Sequence, residues 1–305
     1  MADKKNNTPP VVPRPLKPGD TIGIAAPASP FDMGLFETGC SVIRSMGFKV
    51  DVDDVIYRKN RWLAGTDIQR ANHLNHLFED QKVKAIMCAR GGYGSMRLLP
   101  FLDIDSIRNN PKIFMGFSDI SALLVFFYQR CGFVTFHGPV VTMLGKKDLV
   151  TMDSVAACLT SGRPVTIRSD EGKVIRFGTA AGPVLCSNLT TLCHLCGTPF
   201  MPDLKGHILV VEDCGEKPYR IDRMFSQLKL SGHLDQIAGL GLGSFEHCGD
   251  GDDLDGIIKD LFGDNSIPVM GGLPVGHGST NVTVPVGLFA VLDTDKRHLA
   301  YMDSH

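Results

Sequence analysis

A serine lies between a predicted strand and a predicted helix in the segment Phe114-Met115-Gly116-Phe117-Ser118-Asp119-Ile120-Ser121. The apolar run 112–117 predicts the strand, and residues 119–130 predict a strongly apolar helix. Such a turn exposes the serine hydroxyl at the carboxyl edge of a sheet, where the helix N-terminus favours an oxyanion. The α/β-hydrolase form of this turn is Gly-x-Ser-x-Gly, and Ile120 replaces its last glycine. The alternative is that Ser118 only caps the helix, as serine often does.

A glycine-rich loop follows the preceding predicted strand, which spans residues 84–89. It reads Ala89-Arg90-Gly91-Gly92-Tyr93-Gly94-Ser95. Backbone N–H groups of such a loop approach an anion closely, so Gly91 and Gly92 are candidates for an oxyanion hole or a phosphate cradle. The pattern is neither Gly-x-Gly-x-x-Gly nor a P-loop, and no acidic ribose partner follows at the expected distance. A plain tight turn is the alternative.

The second half of the chain offers two acids and a histidine. Glu212 and Asp213 end the apolar run Ile208-Leu209-Val210-Val211, and His277 lies between glycines in Gly276-His277-Gly278. A carboxylate at the end of a strand can orient a histidine and hold its tautomer. Taken singly, turn acids are more often solvated, and a loop histidine is more often an ordinary surface residue.

A second cluster, Cys193-His194-Leu195-Cys196, has the residue types of a metal site. The surrounding run 190–196 is apolar and helix-like, and no second Cys-x-x-Cys completes a set of four ligands. We therefore interpret these cysteines as buried packing residues, and we predict neither a metal nor an organic cofactor.

The elements that must position these residues change character along the chain. From residue 21 to residue 131, predicted strands alternate with predicted helices, which indicates βαβ units around a parallel sheet. Beyond residue 149 the segments are short, rich in valine and separated by glycine. We predict a disordered lead-in at residues 1–15, an α/β domain at 16–149 that carries the serine turn, and a β-rich domain at 165–305.

Composition narrows the function classes. The chain has 305 residues, 43% of them hydrophobic, with 31 Lys and Arg against 33 Asp and Glu for a net charge of −2. Such a balance argues against a nucleic-acid partner, because no basic surplus exists. No apolar stretch of about 18 residues is present, which argues against a membrane span. Nine cysteines in a chain of this length do not resemble a disulfide framework, and the N-terminus lacks the apolar core of a secretory signal. We therefore predict a soluble enzyme or binding protein of the cytoplasm.

Together these segments resemble the L,D-carboxypeptidases of the muramoyl-tetrapeptide type, which are serine peptidases with a Ser-Glu-His triad. The resemblance extends from residues 16–23 to residues 277–279. Its most specific pieces are Ala89-Arg90-Gly91-Gly92-Tyr93-Gly94, Gly116-Phe117-Ser118-Asp119, Glu212-Asp213 with Pro218-Tyr219-Arg220-Ile221-Asp222-Arg223, and Gly276-His277-Gly278. One departure is Cys186-Ser187-Asn188-Leu189, where the family often shows Gly-Gly-Asn-Leu.

The resemblance implies an N-terminal flavodoxin-like α/β domain followed by a β-rich C-terminal domain, in a homodimer. It implies that Ser118 is the nucleophile, Glu212 the orienting acid and His277 the base. The backbone N–H of Asp119, with one from Gly91 or Gly92, would form the oxyanion hole.

The family's usual substrate is a cytoplasmic murein tetrapeptide, which loses its terminal D-alanine during peptidoglycan recycling. A related branch cleaves peptide-nucleotide antibiotics of the microcin C kind and confers self-immunity, and it tends to carry an aromatic loop that stacks on a base. The single tryptophan here, Trp62, lies outside the second half, so we favour the murein substrate. A non-catalytic protein that holds an anion at Gly91 and Gly92 is the alternative from another class.

Overall fold

Strands and helices alternate along the chain in a computed structural model that describes residues 9–146, 148–161, 165–170, 172–262 and 267–302. The strands are β1 (Thr21–Ala25), β2 (Lys49–Asp51), β3 (Val83–Cys88), β4 (Ile113–Gly116), β5 (Thr135–His137), β6 (Ile167–Arg168), β7 (Val174–Arg176), β8 (Thr179–Asn188), β9 (Ile208–Cys214), β10 (Gly239–Glu246), β11 (Val269–Met270), β12 (Val284–Val286), β13 (Phe289–Asp293) and β14 (His298–Tyr301). The α-helices are α1 (Met33–Ser45), α2 (Asp67–Glu79), α3 (Ile104–Asn109), α4 (Ser121–Phe126), α5 (Val141–Leu144), α6 (Leu149–Thr160), α7 (Leu189–Leu195), α8 (Pro218–Leu230) and α9 (Gly251–Phe262). Short segments of 3₁₀-helix occupy Asp54–Tyr57, Met96–Phe101 and Ser118–Ile120, and a π-helical turn occupies Phe127–Cys131.

The first sheet has the strand order of flavodoxin-like folds. Its strands β2, β1, β3, β4 and β5 lie side by side and are all parallel. This order places a topological switch point between β1 and β3, where ligands bind beyond the carboxyl ends of the strands. The predicted α/β class of the first half is therefore confirmed. A sixth strand, β12, comes from the second half and pairs antiparallel with β5.

The second sheet is mixed, with a parallel centre. Strands β8, β9, β10 and β11 are parallel, and β6, β14 and β13 on one side and β7 on the other are attached through antiparallel pairs. The β-rich character predicted for the second half is confirmed. The parallel centre explains why Ile208-Leu209-Val210-Val211 is apolar on both faces: helices or other layers cover both sides of such a sheet.

The helical segment that follows Ser118 joins the two halves. It runs through the 3₁₀ turn, α4 and the π turn, and it ends at Gly132, whose φ of +77° suits glycine. All six residues of α4 are buried, because the helix contacts both β5 and β8. The predicted apolar helix is therefore an interior element of the fold.

One continuous hydrophobic cluster spans both sheets. Its members include Phe114 and Phe127 from the first half and Leu209 and Phe225 from the second. The two halves therefore share a core, which fixes the carboxyl ends of the strands that carry the candidate site.

The predicted lead-in falls partly outside the described residues, which begin at residue 9. Within the described part, the Val11 N–H donates to the Gly132 carbonyl at 2.8 Å, and the Val134 N–H donates to the Val11 carbonyl at 2.9 Å. This stretch of the expected lead-in is therefore hydrogen-bonded to the first half of the fold.

Candidate active site

Ser118 occupies a strained turn directly after β4. Its φ is +63°, in the left-handed region that residues other than glycine adopt at a cost of about 1–3 kcal/mol. Gly116 permits the sharp exit from the strand, because a Cβ there would lie 2.8 Å from the side chain of Ile120. Ser118 itself is half-buried. The structure thus places the predicted nucleophile in a strand-to-helix turn of the kind that exposes a reactive hydroxyl.

Gly91 lies against Ser118. A Cβ built on Gly91 would lie 3.0 Å from the Ser118 Cβ and 3.2 Å from its Oγ, so any larger residue here would crowd Ser118. Within the described residues, the N–H groups of Gly91 and Gly92 donate no hydrogen bond. Asp119 is the second residue of its helical turn, where N–H groups lack intrahelical partners. These donors have the character that an oxyanion hole requires.

Ser29, in the loop that follows strand β1, supports the glycine loop. The Ser29 N–H donates to the Gly91 carbonyl at 3.3 Å, and the Ser29 hydroxyl accepts from the Tyr93 N–H at 3.1 Å. Gly92 has a φ of +104°, and a Cβ there would lie 2.5 Å from the Ser29 Oγ. The loops after β1 and β3 therefore meet at the switch point.

A second contact fastens the glycine loop to the serine turn. The Asp119 carboxylate accepts from the Ser95 N–H at 2.8 Å, and the Ser95 hydroxyl donates to the Asp119 carbonyl. Burial raises the pKa of Asp119, and the hydrogen bonds from Ser95 oppose that rise. Since Asp119 and Gly91 are the predicted oxyanion donors, this Ser95–Asp119 contact fixes their spacing.

Arg70 is a supporting residue that the sequence analysis missed. It lies on α2 and is almost fully buried, and its guanidinium donates to the Gly94 carbonyl at 2.9 Å and to the Pro27 carbonyl. Asp67 on the same helix accepts from it at 2.6 Å. Burial lowers the pKa of Arg70, and the ion pair with Asp67 opposes that shift. Arg70 thereby ties the loops after β1 and β3 to α2.

Glu212 and His277, 65 positions apart, form a close polar pair at the site. Glu212 Oε2 lies 2.5 Å from His277 Nδ1, and the Glu212 side chain is fully buried. The sequence pattern ended the strand at Val211, but β9 continues through Glu212 to Cys214. Burial raises the pKa of Glu212, and the hydrogen bond and charge of His277 act in the opposite direction.

The His277 ring lies beside the serine turn. Its centroid is 4.8 Å from that of Phe117, the residue preceding Ser118. Hydrogen bonds that help to hold the loop carrying His277 run from the Gly276 N–H to Asn281 Oδ1 at 2.9 Å and from the Gly278 N–H to Ser244 Oγ at 3.0 Å. The structure therefore brings the predicted acid and base together, next to the predicted nucleophile.

Asn188 and Asp213 form a buried support beneath Glu212. The Asn188 side-chain amide donates to Asp213 Oδ1 at 3.1 Å, and the Asn188 backbone N–H donates to Ser121 Oγ at 3.0 Å. Asp213 Oδ2 also accepts from the Thr190 N–H at 2.9 Å. The unusual Cys186 and Ser187 are both fully buried, so this departure from the family pattern lies inside the fold.

His137 is a second histidine next to Glu212, and the sequence analysis did not single it out. It ends β5, its side chain is fully buried, and its Nε2 lies 3.9 Å from Glu212 Oε1. No strand was predicted at residues 135–137, so nothing in the sequence pattern placed this histidine at the same end of the sheet as Ser118 and Gly91.

The Cys193–Cys196 cluster packs as a hydrophobic element. Cys193 is buried, its Sγ lies 3.4 Å from the Met224 carbonyl, and burial raises its pKa to about 12. Across the described ranges, no group of three or more His, Cys, Asp or Glu side chains is arranged to hold a metal ion. In the same part of the chain, no helix is long and apolar enough to cross a membrane.

Comparison with known proteins identifies the class to which this fold and site belong. Residues 22–138 match the LD-carboxypeptidase N-terminal domain, and residues 181–292 match the LD-carboxypeptidase C-terminal domain. The chain therefore belongs to the LD-carboxypeptidase family, as the sequence motifs predicted.

Relatives and solved structures cover almost the whole chain. It is 34% identical over 294 residues to a probable murein peptide carboxypeptidase of Bacillus subtilis, covering 93% of this chain and 92% of that one. The crystal structure of a muramoyltetrapeptide carboxypeptidase from Oxalobacter formigenes superposes with a TM-score of 0.81 at 32% identity, covering 92% and 97% of the two chains. The microcin self-immunity protein MccF of Escherichia coli is 29% identical over 333 residues, covering 97% of each chain. A structure of MccF in complex with aspartyl sulfamoyl adenosine has a TM-score of 0.88 at 27% identity, covering 97% and 99%.

Proposed function

We propose that the protein is a serine-type carboxypeptidase in which Ser118 is the nucleophile, His277 the general base and Glu212 the carboxylate that orients His277. The observation that carries this proposal is the 2.5 Å contact between Glu212 Oε2 and His277 Nδ1, beside the strained Ser118 turn. A buried carboxylate on Nδ1 is the arrangement that holds a catalytic histidine in the required tautomer.

The proposed chemistry is acyl transfer in two steps. With its Nδ1 proton directed to Glu212, His277 uses Nε2 to take the proton of the Ser118 hydroxyl as that oxygen attacks the peptide carbonyl. His277 then protonates the leaving amino group. Water hydrolyses the acyl-enzyme with His277 again as base, which regenerates Ser118.

The oxyanion of the tetrahedral intermediate is the charge that needs stabilising. We assign its donors to the backbone N–H of Asp119 and one N–H from Gly91 or Gly92. Each donor of this kind contributes on the order of 10²-fold or more to the rate. The Ser95–Asp119 contact supports this assignment, because it couples the two donor segments.

For the substrate we propose a murein tetrapeptide that loses its terminal D-alanine, as in peptidoglycan recycling. The names of the Bacillus and Oxalobacter relatives support this choice. We extend the proposal to a cytoplasmic homodimer, which cell fractionation and light scattering on the purified full chain would test.

A peptide-nucleotide substrate is the second candidate, favoured by the similarity to MccF. One structural observation bears on it. The Trp62 side chain is 55% exposed, and its neighbour Leu63 packs on Gly94 of the glycine loop, where a Cβ would lie 2.3 Å from Leu63 Cδ2. An exposed aromatic ring therefore stands on a loop that contacts the candidate oxyanion loop, although it belongs to the first half of the chain.

Mass spectrometry of peptide turnover tests the proposal. The substrate is a murein tetrapeptide whose terminal D-alanine follows the L-centre of diaminopimelate, and the control substrate ends in L-alanine. We expect the wild type to release alanine only from the first peptide, and we expect Ser118→Ala to release none. Ser41→Ala, a change on the exposed face of α1, is the matched control. A wild type that bound but never cleaved these peptides or a peptide-nucleotide would instead support the non-catalytic anion-binding alternative.

A further inference from the structure

His137 lies in the interior between the two halves of the molecule. It ends β5, where its Cα pairs with Gly116 of β4 on one side and with Val284 of β12 on the other. Its side chain is fully buried, and within the described residues neither ring nitrogen has a hydrogen-bond partner. A buried polar ring without a partner costs about 1–3 kcal/mol, so such a residue needs an explanation.

A carboxylate oxygen of Glu212 lies close to this ring. Glu212 Oε2 is hydrogen-bonded to His277, whereas Glu212 Oε1 is buried without a hydrogen-bond partner in the described part of the chain. His137 Nε2 lies 3.9 Å from that Oε1. The gap exceeds a hydrogen bond by about 1 Å, and catalytic hydrogen bonds are often long in substrate-free structures. Two atoms that each lack a partner therefore face each other across a short gap.

We propose that His137 is a positioning residue of the active site: its Nε2–H donates to Glu212 Oε1 and so holds the carboxylate that orients His277. The role rests on the proposed triad, and it extends the Ser118–His277–Glu212 arrangement by one residue. Phe117 closes the group on one side, with its ring centroid 5.9 Å from that of His137 and 4.8 Å from that of His277.

The protonation state expected for His137 is the neutral one, in which the ring can donate a hydrogen bond. Burial, with the charge of His277 as a second cause, lowers the pKa of His137 to about 3. The ionisable groups that face it are Glu212 on β9 and His277 on the loop before β12. A neutral imidazole has one N–H, and Glu212 Oε1 is an acceptor, so the proposal places the proton on Nε2.

Loss of this donor has a predictable effect on the pH profile. An N–H donor stabilises the Glu212 carboxylate most when no proton is present on the Glu212–His277 pair. Removing the donor therefore raises the proton affinity of the pair, and the acid limb of kcat/KM moves to higher pH. A residue that only fills space would leave the limb in place.

In the full-length protein, the variants His137→Phe and His137→Gln distinguish a hydrogen-bond donor at position 137 from a residue that only fills space. His137→Phe keeps an aromatic ring but has no donor, and we expect kcat to fall about 10- to 100-fold, as for a lost hydrogen bond to a charged group. KM should stay within about threefold, and the acid limb should rise. His137→Gln retains an N–H near the position of Nε2 and should recover at least part of kcat and return the limb toward that of the wild type.

A matched control is His73→Phe, at a buried histidine of α2 whose Nε2 also lacks a partner. The charged neighbours of His73 are Asp51, Asp53 and His76, all remote in sequence from the proposed triad. We expect its kcat and acid limb to match those of the wild type. A wild-type kcat and acid limb in His137→Phe would overturn the proposal. So would equal losses of kcat in His137→Phe and His137→Gln with the acid limb of kcat/KM unchanged.

If the phenylalanine variant does not fold, nitrogen-15 NMR of the histidine rings in the wild-type protein tests the proposal through the tautomer of His137. His137→Gln identifies the signals of residue 137. A neutral Nε2–H tautomer supports the proposal, whereas an Nδ1–H tautomer or a doubly protonated ring at neutral pH contradicts it. This measurement needs no turnover, so its outcome is distinct from the Ser118→Ala result that tests the proposed function.

Discussion

Gly276 leaves room for the Glu212 carboxylate beneath the loop that carries His277. A Cβ at position 276 would lie 2.5 Å from Glu212 Oε2, the oxygen that contacts His277, and Gly276 has a φ of +110°. We predict that Gly276→Ala lowers kcat/KM by about 100-fold or more, because a displacement of about 1 Å near the reacting groups has that cost. Steady-state kinetics on the tetrapeptide, with thermal unfolding, would measure both effects.

The matched control for that change is Gly47→Ala. Gly47 also has a positive φ, +89°, but a Cβ there meets nothing within 4 Å. It therefore carries the backbone strain without the collision with Glu212. We expect both variants to lose stability and only Gly276→Ala to lose activity; equal activity in the two would contradict the steric argument.

The Glu212–His277 pair predicts strongly non-additive kinetics. Glu212→Gln keeps the shape of the side chain but removes the charge that stabilises the imidazolium, and the equivalent change in a serine protease costs roughly 10⁴-fold in kcat. His277→Ala should be at least as severe. The double variant should lose little more than the worse single variant, because triad members act as a unit.

Single and double variants would be compared on one tetrapeptide, with circular dichroism as a check on folding. Losses that multiplied in the double variant would mean that Glu212 and His277 serve separate roles, and the assigned triad would then have to be withdrawn.

The serine turn was predictable from the sequence because its signal is local. A strand of apolar residues, a glycine, a serine and an apolar helix follow each other within residues 112–130, and the structure contains β4, the Ser118 turn and α4 in that order. The alternation of strands and helices likewise predicted the parallel first sheet, since period and turn residues are properties of short segments.

Other features depend on contacts that no short pattern contains. The acids Glu212 and Asp213 suggested the end of a strand, yet β9 continues through both residues. In the interior, His277 bonds one oxygen of Glu212 and Asn188 bonds one oxygen of Asp213. Strand β12 leaves the second half to pair with β5, although its apolar sequence gives no indication of which sheet it joins. His137 becomes important only because β12 covers its strand and β9 carries Glu212 into the interior beside it. The sequence alone could not reveal either contact.

The Ser95–Asp119 contact predicts a moderate effect on catalysis. Ser95→Ala removes the hydroxyl that donates to the Asp119 carbonyl but keeps the backbone N–H that bonds its carboxylate. One lost hydrogen bond of about 1 kcal/mol should loosen the spacing of the oxyanion donors, and we expect kcat to fall about 5- to 20-fold with little change in KM.

Ser106→Ala is the matched control for that prediction, because the exposed Ser106 hydroxyl donates to Glu79 at 3.1 Å, away from the site. Stopped-flow or steady-state assays would compare the two variants. A larger loss in Ser106→Ala than in Ser95→Ala would count against a coupling role for Ser95.

Trp62 distinguishes the two candidate substrates. Its exposed ring on the loop beside Gly94 offers a stacking surface for a nucleobase, and stacking on an aromatic side chain is worth about 1–3 kcal/mol per base. If peptide-nucleotides are substrates, Trp62→Ala should raise KM for an aminoacyl sulfamoyl adenosine about 5- to 100-fold, whereas Trp62→Phe should keep most of the affinity. Turnover of the murein tetrapeptide should be unchanged in both. A KM for the nucleotide substrate that did not respond to Trp62→Ala would exclude this ring as the base-stacking surface.

Burial of His137 predicts an acid-sensitive fold. In the unfolded chain a histidine takes up its proton near its ordinary pKa of 6.5, whereas burial lowers the pKa of His137 in the folded chain to about 3. The neutral form is therefore favoured by folding, and the stability it contributes is present above pH 6.5 and is lost as the pH falls toward 3. For one proton the slope approaches about 1.4 kcal/mol per pH unit. Urea unfolding at a series of pH values in this window should show a smaller slope for His137→Phe than for the wild type. Equal slopes would mean that His137 takes up its proton without unfolding, and the full burial described for its side chain would then be wrong.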